Sequence, residues 1–152
     1  MAACVARAGY QVIGFDTFAE ARAKYAEAGG TSAATVDEAV KDAAAVITLL
    51  PDGKIVRAAV EGFKAKLAPG TVVIDMSSSA PMGTRALGEE LIAAGLAFID
   101  APVSGGVKRA VDGTLAIMAG GDGKTIDRAD PVLNTMGKSV FRTGPLLSLI
   151  HI

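Results

Sequence analysis

The 152 residues carry 15 basic and 16 acidic side chains, a formal net charge of −1, and this even balance excludes the basic footprint that nucleic acid or an anionic membrane surface requires. No apolar run approaches the ~18 residues of a membrane span, and Met1 to Tyr10 lacks the long apolar core of a secretory signal. The single cysteine, Cys4, excludes an internal disulfide and suits a reducing cytoplasm. Flanked by alanines on a helix-forming stretch, Cys4 reads as a small core residue and not as a nucleophile. With 18 glycines, few aromatics and no tryptophan, one domain's length of chain suits helices packed closely on a sheet.

Met1 to Ala8 is Ala-rich and helix-forming, and Gly9 fits its C-terminal cap. Gln11 to Phe15 reads as a short strand ending at Asp16. Thr17 is placed to cap a helix through Ala28, with Glu20 at capping-box spacing and Gly29-Gly30 closing it. Thr35 introduces a short helix over Val36 to Asp42. Ala43 to Leu50 is a continuous apolar run of strand length, the pattern of a strand buried on both faces, and Pro51-Asp52-Gly53 ends it. Ile55 to Lys66 has apolar residues at helical spacing. Pro69-Gly70 is a turn, and Thr71 to Met76 is a second buried strand.

Ser77-Ser78-Ser79 and Pro81 predict the start of a helix that runs to Ala94 and stops at Gly95. Phe98 to Asp100 is the next strand, followed by a Pro-Val-Ser-Gly-Gly loop and a short polar segment. Leu115 to Ala119 is another strand, stopped by Gly120-Gly121-Asp122. Thr125 to Met136 is helical, with Pro131 demanding a kink or break. Ser139 to Thr143 is the last strand, with Lys138 in the turn before it. Alternation at this spacing predicts an α/β fold, a mostly parallel sheet with helices on both faces.

In a doubly wound dinucleotide-binding fold, an acid after the second strand bonds the ribose hydroxyls, ~20 residues beyond a glycine-rich phosphate loop. Asp16 follows a strand in that manner and favours NAD, because a carboxylate repels the extra phosphate of NADP. Read alone, it serves equally well as a turn or capping residue. No Gly-x-Gly-x-x-Gly precedes Asp16. Met1 to Ala8 therefore reads as the tail of the helix that follows such a loop, with the first strand and the loop themselves lacking.

The segments GYQVIGFD (9–16), ITLLPDGKIV (47–56), GTVVIDMSSSAP (70–81), FIDAPVSGG (98–106), GTLAIMAGGD (113–122) and MGKSVFRTG (136–144) stand in a specific order. Together they resemble the NAD-binding domain of the 3-hydroxyisobutyrate dehydrogenase family, β-hydroxyacid dehydrogenases that include tartronate semialdehyde reductase. The resemblance runs from Met1 to about Leu146. It implies a Rossmann-like doubly wound fold that lacks its first strand and glycine-rich loop. It also implies hydride transfer between NAD, with NADP the alternative, and a small anionic 3-hydroxy acid.

By the same resemblance, Leu50 and Pro51 lie along the dinucleotide, and Ser78 takes the place of a cofactor-contacting threonine. Without that context Leu50-Pro51 is a strand-ending turn and the serines are a helix cap. Ser104, Gly105 and Gly106 correspond to the segment that holds the substrate carboxylate. Glycines let backbone N–H groups converge on an anion and serine adds a hydroxyl donor. Lys108 and Arg109 nearby either strengthen that pull or form a solvated loop face. The family's catalytic lysine belongs to a Gly-x-Gly-x-x-x-Lys-x-x-x-Asn helix that has no counterpart here, so no residue of this chain is assigned as catalytic. His151 is the sole histidine and has no partner in sight.

Leu147 to Ile152 resembles translated adapter sequence and is set apart as a non-native tail. The resemblance thus implies a cofactor domain over residues 1–146, incomplete at its N-terminus, with a C-terminal helical domain absent and a homo-oligomeric parent. Loss of a central strand would leave the strands ending at Asp16 and Leu50 with unpaired edges. The isolated chain is expected to be poorly soluble or partly unfolded, and without dehydrogenase activity. The alternatives are a non-catalytic dinucleotide- or partner-binding module and a relative of the imine reductases, which replace the lysine.

Overall fold

The computed structural model describes residues 1–145. The tail 147–152, including His151, lies outside the described residues. Along the chain run α1 (Ala2–Arg7), β1 (Ile13–Gly14), α2 (Ala19–Glu27), β2 (Thr31–Ser32), α3 (Val36–Val40), β3 (Ala45–Thr48), α4 (Gly53–Phe63) and a 3₁₀ turn (Lys64–Lys66). Then follow β4 (Val72–Asp75), α5 (Pro81–Ala93), β5 (Ala97–Asp100), β6 (Val103–Ser104), α6 (Gly106–Asp112), β7 (Leu115–Gly121), α7 (Gly123–Met136) and β8 (Gly137–Gly144). The polar segment after the Ser-Gly-Gly loop is therefore a helix, α6, which the sequence reading left without structure.

The strands form a two-stranded parallel sheet, β1–β2, and a six-stranded sheet in the order β3–β4–β5–β7–β6, with β8 also paired to β7. β3, β4 and β5 are parallel and in register, whereas β7 runs antiparallel to β5 and β6 and parallel to β8. The expected mostly parallel sheet holds through β5 and turns mixed beyond it. The Ala-Pro step lets the chain continue from β5 into β6 along the same β7 neighbour. That reversal has no signature in apolar periodicity.

Alternate residues of β4 and β5 feed two cores. Val72, Ile74, Met76 and Ile99 pack with Ile126, Leu133 and Met136 of α7 and Val5 of α1. Val73 and Phe98 pack on the other face with Val56, Val60 and Phe63 of α4 and Leu87 and Leu91 of α5. Burial on both faces explains why β4 reads as an unbroken apolar run and is buried at all four positions.

β3 departs from that pattern. Its neighbour on one side is β4, and among the described residues it has none on the other. Ile47 is 36 % exposed and Leu49, just past the strand, 54 %, so the expected burial on both faces is corrected to that of an edge. β1 likewise pairs with β2 alone and spans two residues instead of the five expected. These two edges correspond to the unpaired strand ends expected beside Asp16 and Leu50. Within the small unit, Tyr25 of α2 lies flat on two glycines. A Cβ on Gly14 or Gly30 would stand 2.8 or 2.3 Å from its ring, so a side chain at either position would have to displace the Tyr25 ring.

Helix starts also differ from expectation. α2 begins after Phe18 with no side-chain cap, because Asp16 takes the turn instead: its Oδ1 accepts the Phe18 N–H at 2.8 Å. α5 has Ala80 at its cap position and Pro81 first in the helix, so none of the serines caps it. Thr35 does cap α3, accepting from the Glu38 N–H. Asp52 caps α4 and Asp122 caps α7. α7 runs through Pro131 without a break. Lys138 lies within β8 and not in a turn. Cys4 is buried, as expected, with its thiol against the Ala110 and Val111 carbonyls.

Candidate active site

The parallel strands β3, β4 and β5 end level with one another, and the loops that leave them carry most of the residues singled out from the sequence. Leu50 follows β3, Ser78 follows β4, and Ser104 to Gly106 follow β5. Ligands of open α/β sheets bind outside these carboxyl ends.

Beneath the loops lies a row of polar residues in the sheet itself. Thr48, Asp75 and Asp100 are successive register partners on β3, β4 and β5. Thr48 Oγ1 donates to Asp75 Oδ1 at 2.9 Å, the Ser77 N–H donates to the same oxygen at 3.1 Å, and Ser79 Oγ donates to Oδ2 at 3.3 Å. Ser77 Oγ in turn accepts the Leu50 N–H at 2.9 Å. Two of the three serines are therefore spent on holding the loop. Ser78 between them is exposed and makes no internal hydrogen bond, which leaves its hydroxyl for a ligand.

Asp100 is 6 % exposed. Its carboxyl is pushed up to about 7, first by burial and then by the charge of Asp75. The sequence reading took Asp100 only as the acid at a strand end. The register that sets it beside Asp75 is a property of the folded sheet. The signal was nonetheless present: both strands close apolar–apolar–Asp, and parallel strands of equal length align such ends.

On the loop after β5, Ser104, Gly105 and Gly106 are exposed at the start of α6. Gly105 has φ +139°, and a Cβ there would meet Arg109 Cδ at 2.6 Å, so this turn requires glycine on two counts. Lys108 is almost fully solvated and pairs with Asp112. Arg109 packs over Gly105. Gly120 and Gly121, expected as a loop, belong to β7, and Asp122 holds the N-terminus of α7 by accepting the Thr125 N–H and hydroxyl.

Asp16 stands apart, at the end of β1 in the small sheet. One carboxylate oxygen serves the Phe18 N–H, and Arg22 donates to the Asp16 and Thr17 carbonyls while stacking over Phe15. A surface depression of about 690 Å³ lined by Arg85, Glu89, Asp122, Ile126 and Arg142 contains none of the expected site residues. Its arginines are paired, Arg85 with Glu89 and Arg142 with Asp127 and Asp130, so it offers no uncompensated charge to an anion. Among the described residues no cluster of ligating side chains could hold a metal ion, and no helix is long and apolar enough to cross a membrane.

A family model described as the NAD binding domain of 6-phosphogluconate dehydrogenase matches residues 1–144. The chain belongs to that family. It is 37 % identical over 148 residues to the NAD-dependent L-serine dehydrogenase of Pseudomonas aeruginosa, covering 95 % of this chain and 50 % of that protein. It is 36 % identical over 147 residues to the 3-sulfolactaldehyde reductase of Escherichia coli, covering 95 % and 49 %. Among solved structures, the 3-hydroxyisobutyrate dehydrogenase of Mycobacterium tuberculosis with L-serine superposes with a TM-score of 0.93 at 38 % identity, over 95 % of this chain and 50 % of that one. An imine reductase from Streptomyces aurantiacus, at 21 % identity and a TM-score of 0.87, shares the fold. The chain spans about half the length of the curated relatives it matches.

The family's NAD can be tested against the residues present. Among the described residues the exposed Ser78 hydroxyl has no partner, and Asp16 spends one of its two carboxylate oxygens on the Phe18 N–H. Hydroxyl and carboxylate groups of this kind are chemically compatible with the hydroxyls and phosphates of a dinucleotide.

Proposed function

We propose that this chain is the cofactor half of an NAD-dependent dehydrogenase acting on a small anionic 3-hydroxy acid, 3-hydroxyisobutyrate-like or L-serine-like. The observation that carries the reading is the convergence of Leu50, Ser78 and the Ser104-Gly105-Gly106 turn at one end of the parallel strands. Asp16 holds the ribose hydroxyls and selects NAD over NADP. Leu50 and Pro51 flank the dinucleotide, and Ser78 donates to it. When bound, NAD supplies the hydride acceptor. Ser104 and the N–H groups of Gly105 and Gly106 orient the substrate carboxylate. The lysine that assists proton transfer comes from sequence beyond residue 146, with a helical domain and a homo-oligomeric assembly. A cytoplasmic setting agrees with the unlinked Cys4.

The decisive experiment is NAD reduction with a panel of small 3-hydroxy acids, by the 152 residues alone and by a protein extended on both sides from the parent gene. Turnover is expected from the extended protein and none from the 152 residues. No turnover by the extended protein with any 3-hydroxy acid sinks the reading.

A further inference from the structure

We propose that Thr48, Asp75 and Asp100 act as one unit that positions the strand-end loops, with the two carboxyls sharing a single negative charge. The inference rests on the preceding section only for what the loops bind.

Three observations carry it. The first is placement: the three residues are register partners across β3, β4 and β5, and partners in a parallel pair present their side chains on the same face. Asp75 is fully buried, and Asp100, 6 % exposed, stands beside it in the register at the edge of solvent. The second is asymmetry. The Asp75 carboxylate is met by the Thr48 hydroxyl, the Ser77 N–H and the Ser79 hydroxyl, while the Asp100 carboxyl receives no hydrogen bond from the described residues. Of two neighbouring carboxyls, the one without protein donors is the less able to carry the charge they share.

The third observation is connectivity. Every loop at this end is tied to the row. The Leu50 N–H bonds Ser77 Oγ, the Met76 N–H bonds the Thr48 carbonyl at 2.8 Å, and the Ala101 N–H bonds the Asp75 carbonyl at 2.7 Å. A second charge in the row therefore repels Asp75 from Asp100 just where the chain leaves β4 toward Ser78 and leaves β5 toward β6, which ends at Ser104.

Among the described residues no other charge compensates the pair. Asp75 and Asp100 lie on the face that Val73 and Phe98 share with α4 and α5. On those helices Arg57 pairs with Glu61 and Glu90, Arg85 with Glu89, and Lys54 is exposed. β7, on the other side of β5, has no ionisable residue, and its partner for Asp100 is Gly120. The charges of α7, namely Lys124, Asp127, Arg128 and Asp130, belong to the opposite face of the sheet, where Ile126 and Leu133 pack.

The test is a pH titration of the full chain from ~4 to ~9 by carbon-detected NMR of side-chain carboxyls, together with amide exchange at Leu50, Ser77 and Ala101. One carboxyl is expected to titrate at about 7 and to be missing from Asp100→Asn. Protection of the three amides, corrected for intrinsic exchange, is expected to fall about tenfold through the same midpoint in the wild type and to stay flat in Asp100→Asn. Asp75→Asn should lower the Asp100 midpoint only in part, because burial, the larger cause, remains. If Asp75→Asn does not fold, the comparison of wild type with Asp100→Asn still decides. Carboxyls that all titrate below ~5, or amides that ignore the midpoint, overturn the proposal. No nucleotide is added, so failure of NAD to bind would leave the result readable.

Discussion

Asp100 gives the residue scale its clearest sign. Its carboxyl titrates at about 7 in the fold and near ~3.9 in an unfolded chain. Between those values the folded state binds more protons than the unfolded one, so stability is highest below ~4 and falls as pH rises toward 7. The loss amounts to about 4 kcal/mol over the whole range, of which roughly 2–3 falls between pH ~5 and ~8. Chemical denaturation at pH ~5 and ~8 should show it, and Asp100→Asn should flatten the difference. A steeper fall in the variant would contradict the assignment. Ser78 gives a second prediction. Its side chain makes no internal bond and is exposed, so Ser78→Ala should leave the melting temperature unchanged while weakening NAD binding several-fold in calorimetric titration. Unchanged affinity would remove Ser78 from the cofactor site. The site residues were legible only through the family resemblance. Composition and spacing leave a serine triplet and a Gly-Gly turn open to plain structural roles.

Helix α7 is the most secure of the elements. Asp122 accepts two hydrogen bonds from Thr125, which holds its carboxyl below the usual range, and Ile126, Leu133 and Met136 bury one face. Asp122→Ala should destabilise the fold modestly by removing the N-cap of α7. Leu133→Ala, at a fully buried position, should cost ~2–5 kcal/mol. Equilibrium unfolding distinguishes the two, and a smaller effect at Leu133 than at Asp122 would refute the packing described here. The Arg57–Glu90 pair joins α4 to α5 through two hydrogen bonds of 3.0 and 2.6 Å. Both side chains are well solvated, so it adds well under the cap's contribution. Helix interiors were readable from apolar spacing. Helix starts were less so, because Asp16 and Ala80, not Thr17 or the serines, occupy the turns that feed α2 and α5.

At the scale of the whole molecule the two sheets differ in support. β4 and β5 lie between two apolar cores, and β7 adds to one of them. Among the described residues β1 and β2 pair only with each other, and α2 buries no residue fully. Two short strands with one thin cover are marginal in water. Amides of 10–40 should therefore exchange much faster than those of β4, β5 and β7, and the open edges of β1 and β3 should promote association at high concentration. Hydrogen exchange read by mass spectrometry measures the first and light scattering the second. Uniform protection across both sheets would show that the small sheet is held by something other than its own contacts.

The alternation of strands and helices was settled by the sequence, because periodicity and turn residues act over a few positions and need no partner. So was the burial of β4, whose every residue is apolar except the closing acid. The sequence could not settle what depends on neighbours distant in the chain. The reversal at β7, the exposure of β3 and the alignment of Thr48, Asp75 and Asp100 all follow from which strand lies beside which. Pairing is a contest among backbones with equivalent hydrogen-bonding groups, and only packing of the completed sheet decides it. Asp100 is an ordinary strand-end acid when read along the chain. Its carboxyl is pushed up because the folded sheet buries it and, second, because β4 aligns with β5 and sets Asp75 beside it.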